Sequence, residues 1–328
     1  MKKLKFSIVV PSYNQGHFIE DTILSIHQQQ GVEKELIIVD GGSTDNTLQV
    51  IENHRDKIDY WVSEKDRGQS HAINKGLKRA TGDVITWLNS DDVFLEGALE
   101  KANAYFNLNE GIGLLHGKSL LFGSDRKDQI VAAPQEDLTY RYLAYIPFPQ
   151  PSSFFSREVV ELLGGVDEHL HYGMDFDLLS RIFLNFEILR VDDLFSKYRM
   201  HEESKSNDLI GFARDWRKVF CRTLRSLPSA QYIIEFMKEH DWYDDDGVFY
   251  SAKRAVDEGF LHKSFCYFLL IQYHYYYQAL ELDTAHKVGK MLKVFDVTFY
   301  KANGVWKEKY KAQFLGRRGI QFLRNIKL

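Results

Sequence analysis

The 328-residue chain predicts an α/β fold: a mostly parallel central sheet with helices on both faces, followed by a helical carboxy-terminal extension. Three observations predict it. Short, continuously apolar runs alternate with helical patterns over the first hundred residues, the pattern of a sheet buried on both faces. Four of those runs end in Asp, Asn, Ser and Gly, at the edge where open α/β sheets bind ligands. From about residue 207 only Pro228 interrupts long, aromatic-rich helical spacings, so a boundary near 205 is expected, dividing 1–205 from 206–328.

The first strand is expected at 6–11 ("FSIVVP"), the second at 35–40 ("ELIIVD"), the third at 60–64 ("YWVSE") and the fourth at 83–88 ("DVITWL"). Each is apolar and rich in β-branched or aromatic residues. Helical periodicity fills the intervals at 17–30, 44–54 and 69–80. A helix near 96–106 precedes two strands of a mixed sheet, at 111–123 and 128–134. "IPFPQPSSFFS" (146–156) holds three of the six prolines and reads as an extended, constrained loop. Helices at 157–163 and 174–186 and a further strand before "YRMHEESKS" complete this region. "DWYDDDGVF" (241–249) is no calcium loop, since Gly247 at its sixth position would put Trp242 first and Lys253 twelfth. It reads as an acidic turn at a helix start.

Bulk properties narrow the function. With 44% hydrophobic residues the chain can bury a core, and a net charge of −4 gives no case for nucleic acid. The two cysteines, Cys221 and Cys266, lie far apart and read as buried thiols of a reducing compartment, without metal-ligand spacing. No apolar run reaches the ~18–20 residues of a spanning helix; the longest cluster, "FCYFLLI", is broken by Gln272 and His274. The basic start leads into a strand and not a signal peptide, so a cytoplasmic protein is expected.

Chemistry concentrates at strand ends. In "VITWLNSDDVF" neighbouring side chains of an extended backbone point to opposite sides, so Asp91 and Asp92 can serve different partners, one a sugar hydroxyl and the other a hard divalent cation. Asp40 stands at the tip of the second strand before Gly41-Gly42, with Ser43 as a helix N-cap and Asp45 in a first turn. In "YGMDFDLLSRIFLNF" the face of Asp175 carries Leu178, Leu179, Ile182 and Phe186, so its charge must meet a cleft or a partner. Asp177 pairs with Arg181 at i,i+4 and reads as surface.

Together "VVPSYNQ", "IIVDGGSTDNT", "WVSEKDRGQSHAINKG", "ATGDVITWLNSDD" and "QPSSFFSREVVELLGGVDEHLHYGMDFDLLSRI" resemble, in order from about 5 to 205, the inverting family 2 glycosyltransferases of the GT-A fold. The resemblance implies a nucleotide-diphosphate-sugar donor, UDP-sugar favoured and dTDP or GDP possible, and a divalent metal, Mn2+ or Mg2+. It implies a nucleotide-sugar site of Pro11, Tyr13, Asp40, Asp66, Gly68, Asn74, Asn89 and Asp91, with Asp92 and His201 at the metal. It implies Asp175 as the base, although Met174 replaces the glutamate usual before it. The acceptor implied is a glycan or a lipid-linked glycan of bacterial surface assembly. Seven basic residues against one acidic in "VWKEKYKAQFLGRRGIQFLRNIKL" (305–328) suit peripheral contact with an anionic membrane face. Two other readings stand beside this one. A non-catalytic nucleotide-sugar-binding protein would keep Asp40 and Asp91 but need no base, and a pyrophosphorylase should show a Gly-rich basic loop where "PSYNQGHF" stands. Neither GxGxxG nor GxxxxGK[ST] occurs.

Overall fold

The computed structural model describes residues 2–123, 127–201, 205 and 208–307. They form two units, Met1–Leu138 with Ile146–Ser204 and Thr139–Tyr145 with Lys205–Leu328. From residue 308 on, the basic stretch singled out for membrane contact lies outside the described residues.

Among the described residues of the first unit, nine strands form one sheet: β1 (Lys5–Ser12), β2 (Glu33–Asp40), β3 (Tyr60–Ser63), β4 (Val84–Trp87), β5 (Val93–Phe94), β6 (Ile112–Phe122), β7 (Gln129–Val131), β8 (Ser153–Ser156) and β9 (Glu187–Arg199). Their order is β3-β2-β1-β4-β8-β6-β9-β5, with β7 beside β6. The first four run parallel. β8 then runs antiparallel to both β4 and β6, while β6 and β9 are parallel. The chain reverses its direction of travel across the sheet at β1, which has β2 on one side and β4 on the other. Such a switch point opens a crevice at the carboxyl ends of the strands.

The helices that follow these strands are α1 (Ile19–His27), α2 (Thr47–Asn53), α3 (Gln69–Arg79), α4 (Ala98–Leu108), the short α5 (Leu138–Arg141), α6 (Arg157–Leu163) and α7 (Met174–Asn185). Alternation along β1 explains why both faces are covered. Phe6, Ile8 and Val10 join Ile19, Ile23 and Ile26 of α1 and Leu99 and Ala102 of α4 in one buried cluster. Val9 points the other way and meets α3 at Gly76, where an added Cβ would lie 2.2 Å from Val9 Cγ1. Glycine there lets the helix approach the strand.

Three local expectations change. Residues 153–156 form β8 instead of continuing a loop, because the prolines precede the "SFFS" run and leave its ladder intact. Ser43 does not cap α2, which starts at Thr47; the hydroxyl is used by Asp40 instead. Asp177 is not surface: it is 2% exposed, and Arg181 binds it at 2.6 and 2.9 Å while donating to the carbonyls of Leu163 and Gly165. α7 is buried on the face of Asp177 and Ser180 as well as on that of Leu178, Leu179 and Ile182.

The second unit contains α8 (Leu209–Arg225), α9 (Gln231–Glu239), α10 (Glu258–Gln278), α11 (Leu282–Phe295) and α12 (Val297–Ala302). Its core is aromatic, with Phe220 stacked on Phe268 at 4.0 Å and Phe265 edge-on to Phe295 at 4.7 Å. The acidic stretch is not a helix start but irregular chain held by α8, through Arg222–Asp246 at 2.7 Å and Arg225–Asp245. No helix of the described residues is long and apolar enough to cross a membrane.

Candidate active site

The β1–α1 and β2–α2 loops are laced together around Asp40. This side chain is fully buried, and its Oδ2 accepts from the amides of Gly42 and Ser43 and from Ser63 Oγ at 2.7–3.0 Å. Oδ1 accepts from Ser43 Oγ at 2.5 Å, which leaves it a lone pair for one more donor. Ser43 Oγ in turn accepts from the amide of Asn14, whose Oδ1 accepts from Thr44 N. Asn14 holds a positive φ of 52°, a conformation that asparagine tolerates. Asp45 takes the amides of Gly16 and Thr47; burial raises its pKa, but these bonds and that of Thr47 Oγ1 win and hold it below the usual range. Pro11 is buried in register with Val39, while Tyr13 is 59% exposed at the end of β1.

Asp66 brings the third strand end to the same place. It accepts from Gly68 N at 2.8 Å, and Gly68, at φ 111°, turns the chain into α3. A Cβ on Gly41 would stand 2.7 Å from Asp66 Oδ2, so glycine at 41 is what lets this carboxylate lie against the tip of β2.

The Asn89–Asp92 corner closes the crevice. Asp92 is 0% exposed; Oδ1 accepts from Arg199 N at 2.9 Å, and Asn89 Nδ2 lies 3.4 Å from Oδ2. Burial, and after it the neighbouring Asp91 carboxylate, push its pKa well above the usual range despite these bonds. Asp91 is the partly exposed carboxylate, and its Oδ2 lies 2.9 Å from His201 Nε2. Asp92 fastens the corner to β9 with its carboxylate buried, whereas Asp91 and His201 face each other, both partly exposed. Arg199 supports both, donating from Nε to the Asp91 carbonyl, while its guanidinium covers Phe18 at 4.9 Å and Phe122 at 4.5 Å.

The residue before Asp175 meets α3. Gln69 donates to Asn89 Oδ1 at 2.8 Å, and the next residue, Ser70, lies 2.8 Å from Met174 Sδ. One helical turn thus touches both the Asn89–Asp92 corner and the residue before Asp175, which is partly exposed. Asn74 departs from expectation. Its amide donates to Val166 O and Glu168 and accepts from Val166 N, so it anchors the 165–168 loop instead of facing a nucleotide. Sequence reasoning missed Ser63, Gln69, Ser70 and Arg199. Of these, Arg199 alone carried a signal, standing two residues from His201 in "YRMH".

The set offers carboxylates and an imidazole at the carboxyl ends of parallel strands, a chemistry that suits a nucleotide diphosphate with a divalent ion. Residues 7–118 match the family described as Glycosyl transferase family 2. An uncharacterized glycosyltransferase of Rickettsia typhi is 23% identical over 274 residues, 76% of this chain and 81% of that protein. The crystal structure of S. aureus TarS 1-349 in complex with UDP-GlcNAc covers 96% of this chain and 92% of its own at a TM-score of 0.59 and 19% identity. The mannosyltransferase PcManGT from Pyrobaculum calidifontis, in complex with GDP-Man and Mn2+, covers 97% and 89% at 0.58 and 16%. The motif-bearing first region is thus similar to family 2 glycosyltransferases, and the fold is of the GT-A type.

Proposed function

We propose that the enzyme transfers a sugar from a nucleotide-diphosphate donor, a UDP-sugar in preference, to an acceptor hydroxyl with inversion at the anomeric carbon. The observation that carries this reading is the first turn of α3, which holds the Asn89–Asp92 corner and Met174-Asp175 to one another. The donor lies along the ends of β1, β2 and β4. Asp66 takes polar groups of the base or ribose, the buried Asp40 holds the two loops that shape its place, and Tyr13 offers an exposed ring to the base. Asp91 and His201 fit a divalent ion, since an anionic oxygen and an imidazole nitrogen, 2.9 Å apart, suit Mn2+ as well as Mg2+. Such an ion supplies charge stabilisation to the departing diphosphate. Asp175 accepts the proton of the attacking hydroxyl, a role worth ~10²–10⁴-fold in rate. Two of the compared structures carry UDP-GlcNAc and GDP-Man, which supports a nucleotide-sugar donor. A surface glycan or lipid-linked glycan assembled at the cytoplasmic face of the membrane is the acceptor class proposed.

The test is release of nucleoside diphosphate from a panel of donors with Mn2+, Mg2+ or EDTA. Asp175→Asn is expected to keep donor affinity within about threefold while kcat falls 10²–10⁴-fold. Unchanged turnover in that variant would place the base elsewhere.

A further inference from the structure

We propose that the second unit holds a site for a borderline divalent cation of the zinc class, formed by His262, Cys266 and Asp296. His262 and Cys266 stand at i and i+4, hence on one face of α10. Asp296 lies at the junction of α11 and α12. His262 Nε2 is 3.1 Å from Asp296 Oδ2, and one donor atom from each of the three residues lies within 4.8 Å of the other two. Donors around a tetrahedral zinc stand roughly 3.5 Å apart, so closing on an ion needs side-chain shifts of about an ångström and no change of backbone.

The surroundings divide the work as metal sites do. Oδ1 of Asp296 accepts from the amides of Thr298 and Phe299 at 2.9 and 2.8 Å, which fixes the carboxylate and leaves Oδ2 for the ion. The His262 ring is held against Phe295 at 4.6 Å and 24°. Cys266 is fully buried and free, while His262 and Asp296 are 40% and 27% exposed, so an ion can enter from their side. Thiolate, imidazole and carboxylate together select zinc or cobalt over magnesium or calcium, which prefer all-oxygen shells. Binding displaces the thiol proton to solvent and leaves a fourth position for water. The ion would clasp α10 to the α11–α12 junction, independently of the chemistry proposed for the first unit.

The full chain and its Cys266→Ala variant are loaded in parallel with Zn2+ or Co2+ and desalted, so that any ion held by Asp91 and His201 is common to both. The parent is expected to retain one more zinc per chain than Cys266→Ala, and its cobalt form is expected to show a thiolate-to-cobalt charge-transfer band in the near ultraviolet. Cys266→Ala should abolish the band, and Cys221→Ala should leave it intact. Asp296→Asn keeps an N-cap of equal quality, so it should retain the circular dichroism of the parent while zinc affinity falls at least tenfold. Folded wild-type chain that retains no zinc, or wild-type zinc affinity in Asp296→Asn or in Cys266→Ala, would overturn the proposal.

Discussion

Asp91 and Asp92 are adjacent in the chain and opposite in circumstance, because Asn89–Asp92 is a turn, closed by Asp92 N donating to Asn89 O at 3.0 Å, and not the extended backbone expected, and β9 packs over its Asp92 side. Asp92 is sealed beneath Arg199 N, and its carboxylate resists ionisation; Asp91 stays at the rim beside His201. Asp91→Asn is therefore expected to weaken Mn2+-dependent donor binding at least tenfold with little change in unfolding temperature. Asp92→Asn should do the reverse. It perturbs a buried hydrogen bond worth about 1 kcal/mol and leaves the metal dependence of donor binding, read by titration calorimetry, close to wild type. A pair of acids at the end of a core strand was legible from "NSDD" alone. Which of them is buried was not, since that depends on an amide 107 residues away. Asn74 teaches the same lesson: its residue type suits a ligand, but a loop 92 residues on claims its amide.

At the scale of elements, the 163–168 segment shows how packing positions a site. Arg181 of α7 holds its start through the carbonyls of Leu163 and Gly165, and Asn74 of α3 holds its end through both backbone groups of Val166. Truncating Arg181 to Met leaves Asp177 buried without its counter-charge, which costs ~3–5 kcal/mol, visible in a urea midpoint. Asn74→Ala is milder, at ~1–3 kcal/mol for the orphaned Val166 groups. Because the segment leads into α7 and Asp175, the proposed acceptor-side base, the change is expected to raise the acceptor KM several-fold while the donor KM stays near wild type. Equal rises in both would show that the segment does not serve the acceptor side. The parallel strands and the helices between them were readable because burial on both faces leaves unbroken apolar runs. β8 was not, since prolines next to a short strand look the same as prolines within a loop. The ion pair on α7 was readable as a pair, but an i,i+4 spacing is the same on a buried face as on a wet one.

At the scale of the whole molecule, the sheet's end opposite the site contributes to its response to acid. Glu35 of β2 accepts from Ser7 Oγ of β1 and from both the amide and hydroxyl of Thr81 before β4, and it pairs with Lys5 at 2.7 Å. Three parallel strands are thereby tied at their amino ends by one carboxylate. Burial acts to raise its pKa, but the bonds from Lys5, Ser7 and Thr81 outweigh it and bring the group down to about 2. A folded pKa below the unfolded value means the native state holds fewer protons than the unfolded chain, so stability rises with pH across the interval between them. The contribution of Glu35 is complete above about pH 4.5 and disappears as pH falls through about 2. Glu35→Gln is expected to cost about 1–2 kcal/mol at pH 7, allowing for solvent screening of a group near the surface. The difference between wild type and variant in urea unfolding should stay constant from pH 7 to about 4.5 and shrink toward zero as the pH approaches about 2. A difference that does not change with pH would mean that Glu35 contributes through its shape and neutral hydrogen bonds, and that the acid response of the sheet arises from other carboxylates.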